Sequence, residues 1–169
     1  MPEKSTSLAE IEAVYRSRGA DFFRLALAKT DDPEAARDAV QEGFAQAIRA
    51  RRSYGGIGSL EAWVARCVIN AAHDARRAAT ATDVGMGELP TTADRNPGDA
   101  LGLHPDAAIL REAVRKLPER QRDALYLRFY LGFEYAVIAD TLGIEVGTVS
   151  ATLHAARASL AQTLQEVLR

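Results

Sequence analysis

The chain has 169 residues, 47% of them hydrophobic, enough to bury one sizeable core or two small ones. A formal net charge of −2 excludes a protein that grips nucleic acid by charge alone, and the single cysteine, Cys67, excludes an internal disulfide and a cysteine-cluster zinc site. No segment approaches the roughly 20 apolar residues that span a bilayer, and the N-terminus lacks a signal-like apolar run, so no membrane insertion and a cytoplasmic location are expected.

Ala, Leu, Arg, Glu and Gln dominate, and β-branched and aromatic residues do not alternate over a useful length, so an all-α protein without a sheet is expected. Residues 1–7 read as a frayed tail. From Leu8, a helix is predicted with Ile11, Tyr15, Phe22, Phe23, Leu25 and Leu27 at helical spacing and Gly19 as an interruption or bend. Thr30-Asp31-Asp32-Pro33-Glu34 then combines an aspartate cap, a proline for the first helical position and a glutamate beside the positive dipole end. The helix that starts there gathers Val40, Phe44, Ala47 and Ile48 on one face and Asp38, Gln41, Glu42 and Gln46 on another. Alone, such a polar face is most often solvated surface.

Arg51-Arg52-Ser53-Tyr54-Gly55-Gly56-Ile57-Gly58-Ser59 breaks this helix, and Ser59 is placed to cap the next. Tyr54 offers a stacking face, and Arg51 and Arg52 offer phosphate contacts, where the plainer reading is a connector. A long helix is predicted over Leu60–Arg77. Trp63, Val64, Cys67, Val68 and Ala71 form its inner side, and Arg66, Asn70, His73, Arg76 and Arg77 form a polar, mostly basic stripe. That stripe suits a phosphate backbone; a merely solvated face has the same pattern. Residues 80–105 carry Thr, Gly, Pro and Asp without apolar periodicity and read as a flexible acidic linker.

The last part, 106–169, reads as helices ending in a helix-turn-helix. Pro118 is placed at a first helical residue, Leu125, Leu127, Phe129 and Leu131 are expected to pack, and Gly132 closes that helix. Ile138 and Leu142 lie one turn apart before Gly143, a C-cap glycine. Beyond the turn, Val149 and Leu153 are expected to face inward, and Thr148, Ser150, Ala151, Thr152, His154 and Arg157 outward. A helix with small outward residues near its start suits the major groove, whereas an ordinary helical hairpin with a glycine cap shares its periodicity.

Four motifs in order sharpen this reading: Leu117-Pro118-Glu119-Arg120-Gln121-Arg122, then Ile138-Ala139-Asp140-Thr141-Leu142-Gly143-Ile144, then Gly147-Thr148-Val149, then Leu153-His154-Ala155-Ala156-Arg157. Together they resemble the promoter-reading domain of extracytoplasmic-function sigma factors. Upstream, Asp38-Ala39-Val40-Gln41-Glu42-Gly43-Phe44 is similar to the family segment that docks on the polymerase clamp, and Trp63 and Asn70 match its minus-ten-reading helix. The resemblance implies two helical domains, 8–79 and 106–169, with core RNA polymerase and promoter DNA as partners and an anti-sigma factor as inhibitor. It implies Asp38, Gln41 and Glu42 as polymerase contacts. For the minus-ten element it implies the 51–59 loop as a pocket for a flipped base and Asn70 as a DNA contact, and with it the basic stripe of His73, Arg76 and Arg77 is expected to meet DNA.

Charge divides unevenly along the chain. Residues 1–80 hold 12 basic and 11 acidic side chains, 81–110 hold 1 and 5, and 111–169 hold 8 and 7. Neither helical part is strongly basic, so weak stand-alone DNA affinity is expected. One departure from the family stands out: it usually has basic residues after Gly147-Thr148-Val149 and another after the position of His154, where this chain has Ser150-Ala151-Thr152 and Ala155. Weak or unusual minus-thirty-five recognition follows from that loss. No P-loop, dinucleotide turn, metal cluster or Ser/His/Asp constellation stands out, so neither an enzyme nor a cofactor is expected. Two other readings remain: a stand-alone helix-turn-helix regulator, and a sigma-like interaction protein with weakened promoter recognition.

Overall fold

The computed structural model describes residues 5–56, 58–83 and 105–169. These form seven α-helices and no strand: α1 (Leu8–Thr30), α2 (Pro33–Arg49), α3 (Leu60–Asp83), α4 (Pro105–Arg115), α5 (Glu119–Phe129), α6 (Tyr135–Leu142) and α7 (Val146–Val167). They fall into two compact units, one carrying α1 to α3, the other α4, α5, most of α6 and α7. The all-α expectation holds. Most of the expected linker, residues 84–104, lies outside the described residues.

Local signals start each helix of the first unit. Ser7, assigned above to a frayed tail, is instead the N-cap of α1: its hydroxyl accepts from the Glu10 N–H at 3.2 Å, and its own N–H donates to the Glu10 carboxylate at 2.7 Å. That bond, with those from the Ser7 and Thr6 hydroxyls, holds the Glu10 carboxyl below its usual pKa. Asp32 caps α2 by accepting from the Glu34 and Ala35 N–H groups at 3.2 Å, with Pro33 at the first position. Ser59 caps α3 through a 3.4 Å bond from the Ala62 N–H.

In this unit α2 packs against both α1 and α3, and α1 against α3. Phe22, Leu25, Ala26, Phe44, Ala47, Val64, Val68 and Ala72 are buried, and the Phe44 ring meets Phe22 and Tyr15 edge-on at 5.6 and 5.1 Å. Gly19 does not interrupt α1. Its helix cost of about 1 kcal/mol is outweighed by buried residues on both sides of it, Ile11 and Val14 before and Phe22 and Leu25 after. Tyr15, at helical spacing with Ile11 and Phe22, is nonetheless exposed, as is Leu8 at the helix start. At Gly43 α2 and α3 approach closely: a Cβ there would stand 2.7 Å from the Val68 Cα and 2.8 Å from its nitrogen. Only glycine lets α2 and α3 approach this closely.

α3 also runs further than expected. The sequence ends it at Arg77 and begins a connector at residue 80, but residues 80–83 are helical. Alanines at 78, 79 and 81 favour helix, and the Thr80 hydroxyl donates back to the Arg76 and Arg77 carbonyls at 3.1 and 2.9 Å.

In the second unit α7 packs against α5 and α4. Pro118 proves to be the residue before α5 and not its first, and Glu119 begins the helix. Leu125, Leu127 and Leu131 are buried, but Phe129 is 63% exposed. Residues two apart cannot all share one side of a helix turning every 3.6 residues, and Phe129 falls on the outer side. Gly143 caps α6 with a left-handed φ of 65°. Gly132 has the same φ but does not close α5: Tyr130 is the C-cap, and Gly132 turns the chain two residues beyond it. Ile138, Val149 and Leu153 are fully or almost fully buried, and α6 and α7 meet at 98°, the crossing of a helix-turn-helix. Among the described residues no single helix is long and apolar enough to cross a membrane.

Candidate nucleic-acid interface

The first unit turns three features outward. On α2, Asp38, Gln41 and Glu42 are exposed, opposite the buried Ala39, Val40, Gly43 and Phe44. Glu42 Oε1 accepts from Gln46 Nε2 at 3.1 Å and from the Arg49 guanidinium at 2.8 Å. These two bonds, Gln46 foremost, hold its carboxyl below the usual range and leave Asp38 and Gln41 as the less engaged neighbours on that face.

The loop between α2 and α3 separates its two arginines. Arg51 Nη1 donates to the Ile48 carbonyl at 2.9 Å and so closes the end of α2, while Arg52 is exposed. Gly56 and Gly58 take φ of 66° and 82°, a region side-chain-bearing residues avoid. The Tyr54 hydroxyl donates to the Gly58 carbonyl at 2.9 Å, and its ring lies 5.2 Å from the Trp63 ring at a 38° tilt. Tyr54 and Trp63 are each half-buried. Trp63 is thus neither plain core nor free surface, and one side of the Tyr54 ring is already occupied.

Along α3, Asn70, Arg76 and Arg77 are exposed and His73 is half-buried. Steps of three and four residues set Asn70, His73 and Arg77 along one side of the helix, with Arg76 adjoining. Val64, Val68, Ala71 and Ala72 are buried on the other side. Burial pushes the Cys67 thiol up from its usual pKa, so this half-buried cysteine stays protonated near neutrality.

In the second unit, Gly143 and Ile144 donate their N–H groups to the Ala139 carbonyl, which fixes the turn into α7. Beyond it Thr148, Ser150, Ala151, His154 and Arg157 are exposed and Thr152 is half-buried, while Val149, Leu153 and Ala156 are buried. A Cβ on Gly147 would meet nothing within 4 Å, so the fold itself leaves the start of this helix open to close approach. Arg157 carries the one guanidinium on the outward side, with its Cζ 5.9 Å from the Phe129 ring centroid. Two arginines outside the sequence-derived set act as braces. Arg122 donates to the Arg115 carbonyl at 3.0 Å, and Arg128 donates to the Phe133 carbonyl at 2.9 Å while lying over the Tyr135 ring. Their signal in sequence, a basic residue near a helix end, is too common to have singled them out. Among the described residues no group of three or more His, Cys, Asp or Glu side chains converges as a metal would require.

Two family models match the chain in the order of these units: Sigma-70 region 2 over residues 14–82 and Sigma-70 region 4 over residues 107–160. The chain is 31% identical over 161 residues to the ECF RNA polymerase sigma factor SigL of Mycobacterium tuberculosis, covering 94% of this chain and 91% of that one. The chain belongs to the extracytoplasmic-function sigma factors. The RNA polymerase sigma-E factor of Streptomyces antibioticus is likewise 31% identical, over 92% of this chain and 85% of its own. A solved structure of the sigma factor RpoE from Bartonella quintana, in complex with the anti-sigma factor NepR, shares the fold, with a TM-score of 0.74 at 21% identity over 94% of this chain and 98% of that one. This sigma factor is therefore a transcription initiation factor that directs RNA polymerase to promoters, with the helix-turn-helix in its region 4.

Proposed function

We propose that the two units divide promoter recognition between them, and that the protein performs no covalent chemistry of its own. The first unit docks on core polymerase through Asp38, Gln41 and Glu42. It then holds the separated minus-ten strand along Arg52, Tyr54, Asn70, His73, Arg76 and Arg77, with Arg51 adding the donors left over from its bond to Ile48. The second unit reads the minus-thirty-five element through Thr148, Ser150, Ala151, Thr152, His154 and Arg157. The observation that carries this reading is the exposed Asn70, Arg76 and Arg77 beside His73 on α3, the helix into which the glycine loop with Tyr54 leads. A cationic groove with a stacking platform is what a sequence-tolerant single-strand site requires. Strand separation costs a few kcal/mol per flipped base, and such contacts offset it.

Recruitment comes before reading. Basic and acidic side chains nearly balance in each helical part, so the second unit lacks the charge to seize duplex DNA alone, and the polymerase supplies the missing affinity. The solved complex of RpoE with NepR supports an anti-sigma protein as the inhibitor that covers these faces. Action beside the polymerase supports a cytoplasmic location. The decisive experiment is a pull-down of core polymerase by the full-length chain without DNA, followed by transcription-start mapping after overexpression. Binding to core and a discrete set of new start sites are expected. A chain that ignores core polymerase yet binds its own operator as a free dimer would overturn the proposal.

A further inference from the structure

We infer that Phe129 is a positioning residue, whose exposed ring holds the Arg157 guanidinium on the outward side of α7 where it meets the phosphate backbone. The inference rests on the proposed reading of α7 as the DNA-facing helix. Ser150, His154 and Arg157 follow one another at steps of four and three and share one side of α7, opposite the buried Val149, Leu153 and Ala156. From Val146 to Val167 the helix carries one Lys or Arg, and it is Arg157. A reading helix with a single cation depends strongly on where that cation points, because a surface arginine otherwise samples many rotamers.

The geometry supplies the restraint. Phe129 is the last residue of α5, α5 packs against α7, and Arg157 Cζ lies 5.9 Å from the Phe129 ring centroid. At 63% exposure the ring gains little from burial, which leaves its exposed face as the feature to be explained. A carboxylate could also hold a guanidinium, as Glu12 holds Arg16, Glu42 holds Arg49 and Glu112 holds Arg115. It would cancel the charge and occupy the donors. An aromatic face attracts the cation through its quadrupole and leaves the N–H groups at the guanidinium edge free for phosphate. Among the described residues no carboxylate comes within ion-pair distance of Arg157.

The test uses holoenzyme assembled from core polymerase and the full-length chain, titrated over a range of salt against a labelled duplex from a promoter mapped for this sigma factor. Arg157→Gln should weaken binding and lower the slope of log affinity against log salt by about one. Phe129→Leu should weaken binding by about two- to five-fold, and Phe129→Tyr should keep it. In the Arg157→Gln background, Phe129→Leu should add nothing. An equal loss from Phe129→Leu with and without Arg157 would make the ring a support for the fold and overturn the inference. A silent Phe129→Leu beside a damaging Arg157→Gln would overturn it while leaving the DNA-facing reading of α7 intact. If Arg157→Gln changes neither affinity nor slope, Arg157 does not meet DNA and the inference falls with that reading.

Discussion

The two polar faces this sigma factor turns outward, one on α3 and one on α7, are built from different chemistry. The α3 stripe sets two exposed arginines, an asparagine and a histidine along one helix, with Tyr54 and Arg52 in the loop that precedes it. The outward side of α7 offers hydroxyls, a histidine, small residues and one arginine resting on an aromatic ring. On the proposed reading, the first face holds a flexible single strand, where charge and stacking serve any sequence. The second meets a rigid duplex whose position the polymerase has already set, so contact shape matters more than charge. Cation content then measures how much affinity each helix must supply.

The largest expected effect breaks the comparison at its base, because the α3 stripe is aimed by the crossing at Gly43. Gly43→Ala puts a Cβ 2.7 Å from the Val68 backbone, and the first unit should lose about 1–3 kcal/mol of stability in thermal or urea melts. Polymerase binding should fall with it. An unchanged melting curve would show that α2 and α3 can separate freely. Next, Arg76→Ala with Arg77→Ala should weaken open-complex formation by about tenfold and flatten its salt slope by about 1.4, the single-strand value for two lost phosphate contacts. Permanganate footprinting across salt would read this. A normal footprint would return the stripe to plain solvated surface.

On α7 the comparison can be sharpened by gain. Ser150→Lys with Thr152→Arg should tighten upstream binding by holoenzyme several-fold and steepen its salt slope by about two. Strong protection of the minus-thirty-five element by the unaltered chain, with no improvement from these changes, would show that its face is not short of charge. The smallest effect separates two neighbours in the loop. Arg51→Ala should cost about 0.5–1.5 kcal/mol of stability through the lost bond to the Ile48 carbonyl, whereas Arg52→Ala should leave stability unchanged and weaken strand capture. Paired melts and promoter-binding titrations of the two variants would show whether their roles are distinct.

Much of the architecture was legible in the sequence because its signals act over four residues or fewer. Asp32 and Pro33 start α2, Ser59 caps α3, Gly143 closes α6, and Val149 and Leu153 point inward, each by a preference that a short stretch already contains. The candidate site was legible as a set of residue types on helix faces. What those side chains do once placed was not. Arg51 and Arg52 are indistinguishable in sequence, yet one is held by a helix end and the other is exposed. Tyr54 was readable as a stacking face, but not as a ring already leaning on Trp63.

The sequence by itself determined that this protein is all-helical, where α1, α2 and α3 start, that its second unit carries a helix-turn-helix, and which family it resembles. All of these rest on local periodicity, capping and motif order. Tertiary structure alone decided that α2 and α3 touch through Gly43, that Phe129 stands outside the core, and that Arg157 rests against it. A helix fixes the angle of each side chain about its own axis, but which angles are covered depends on neighbours distant in the chain.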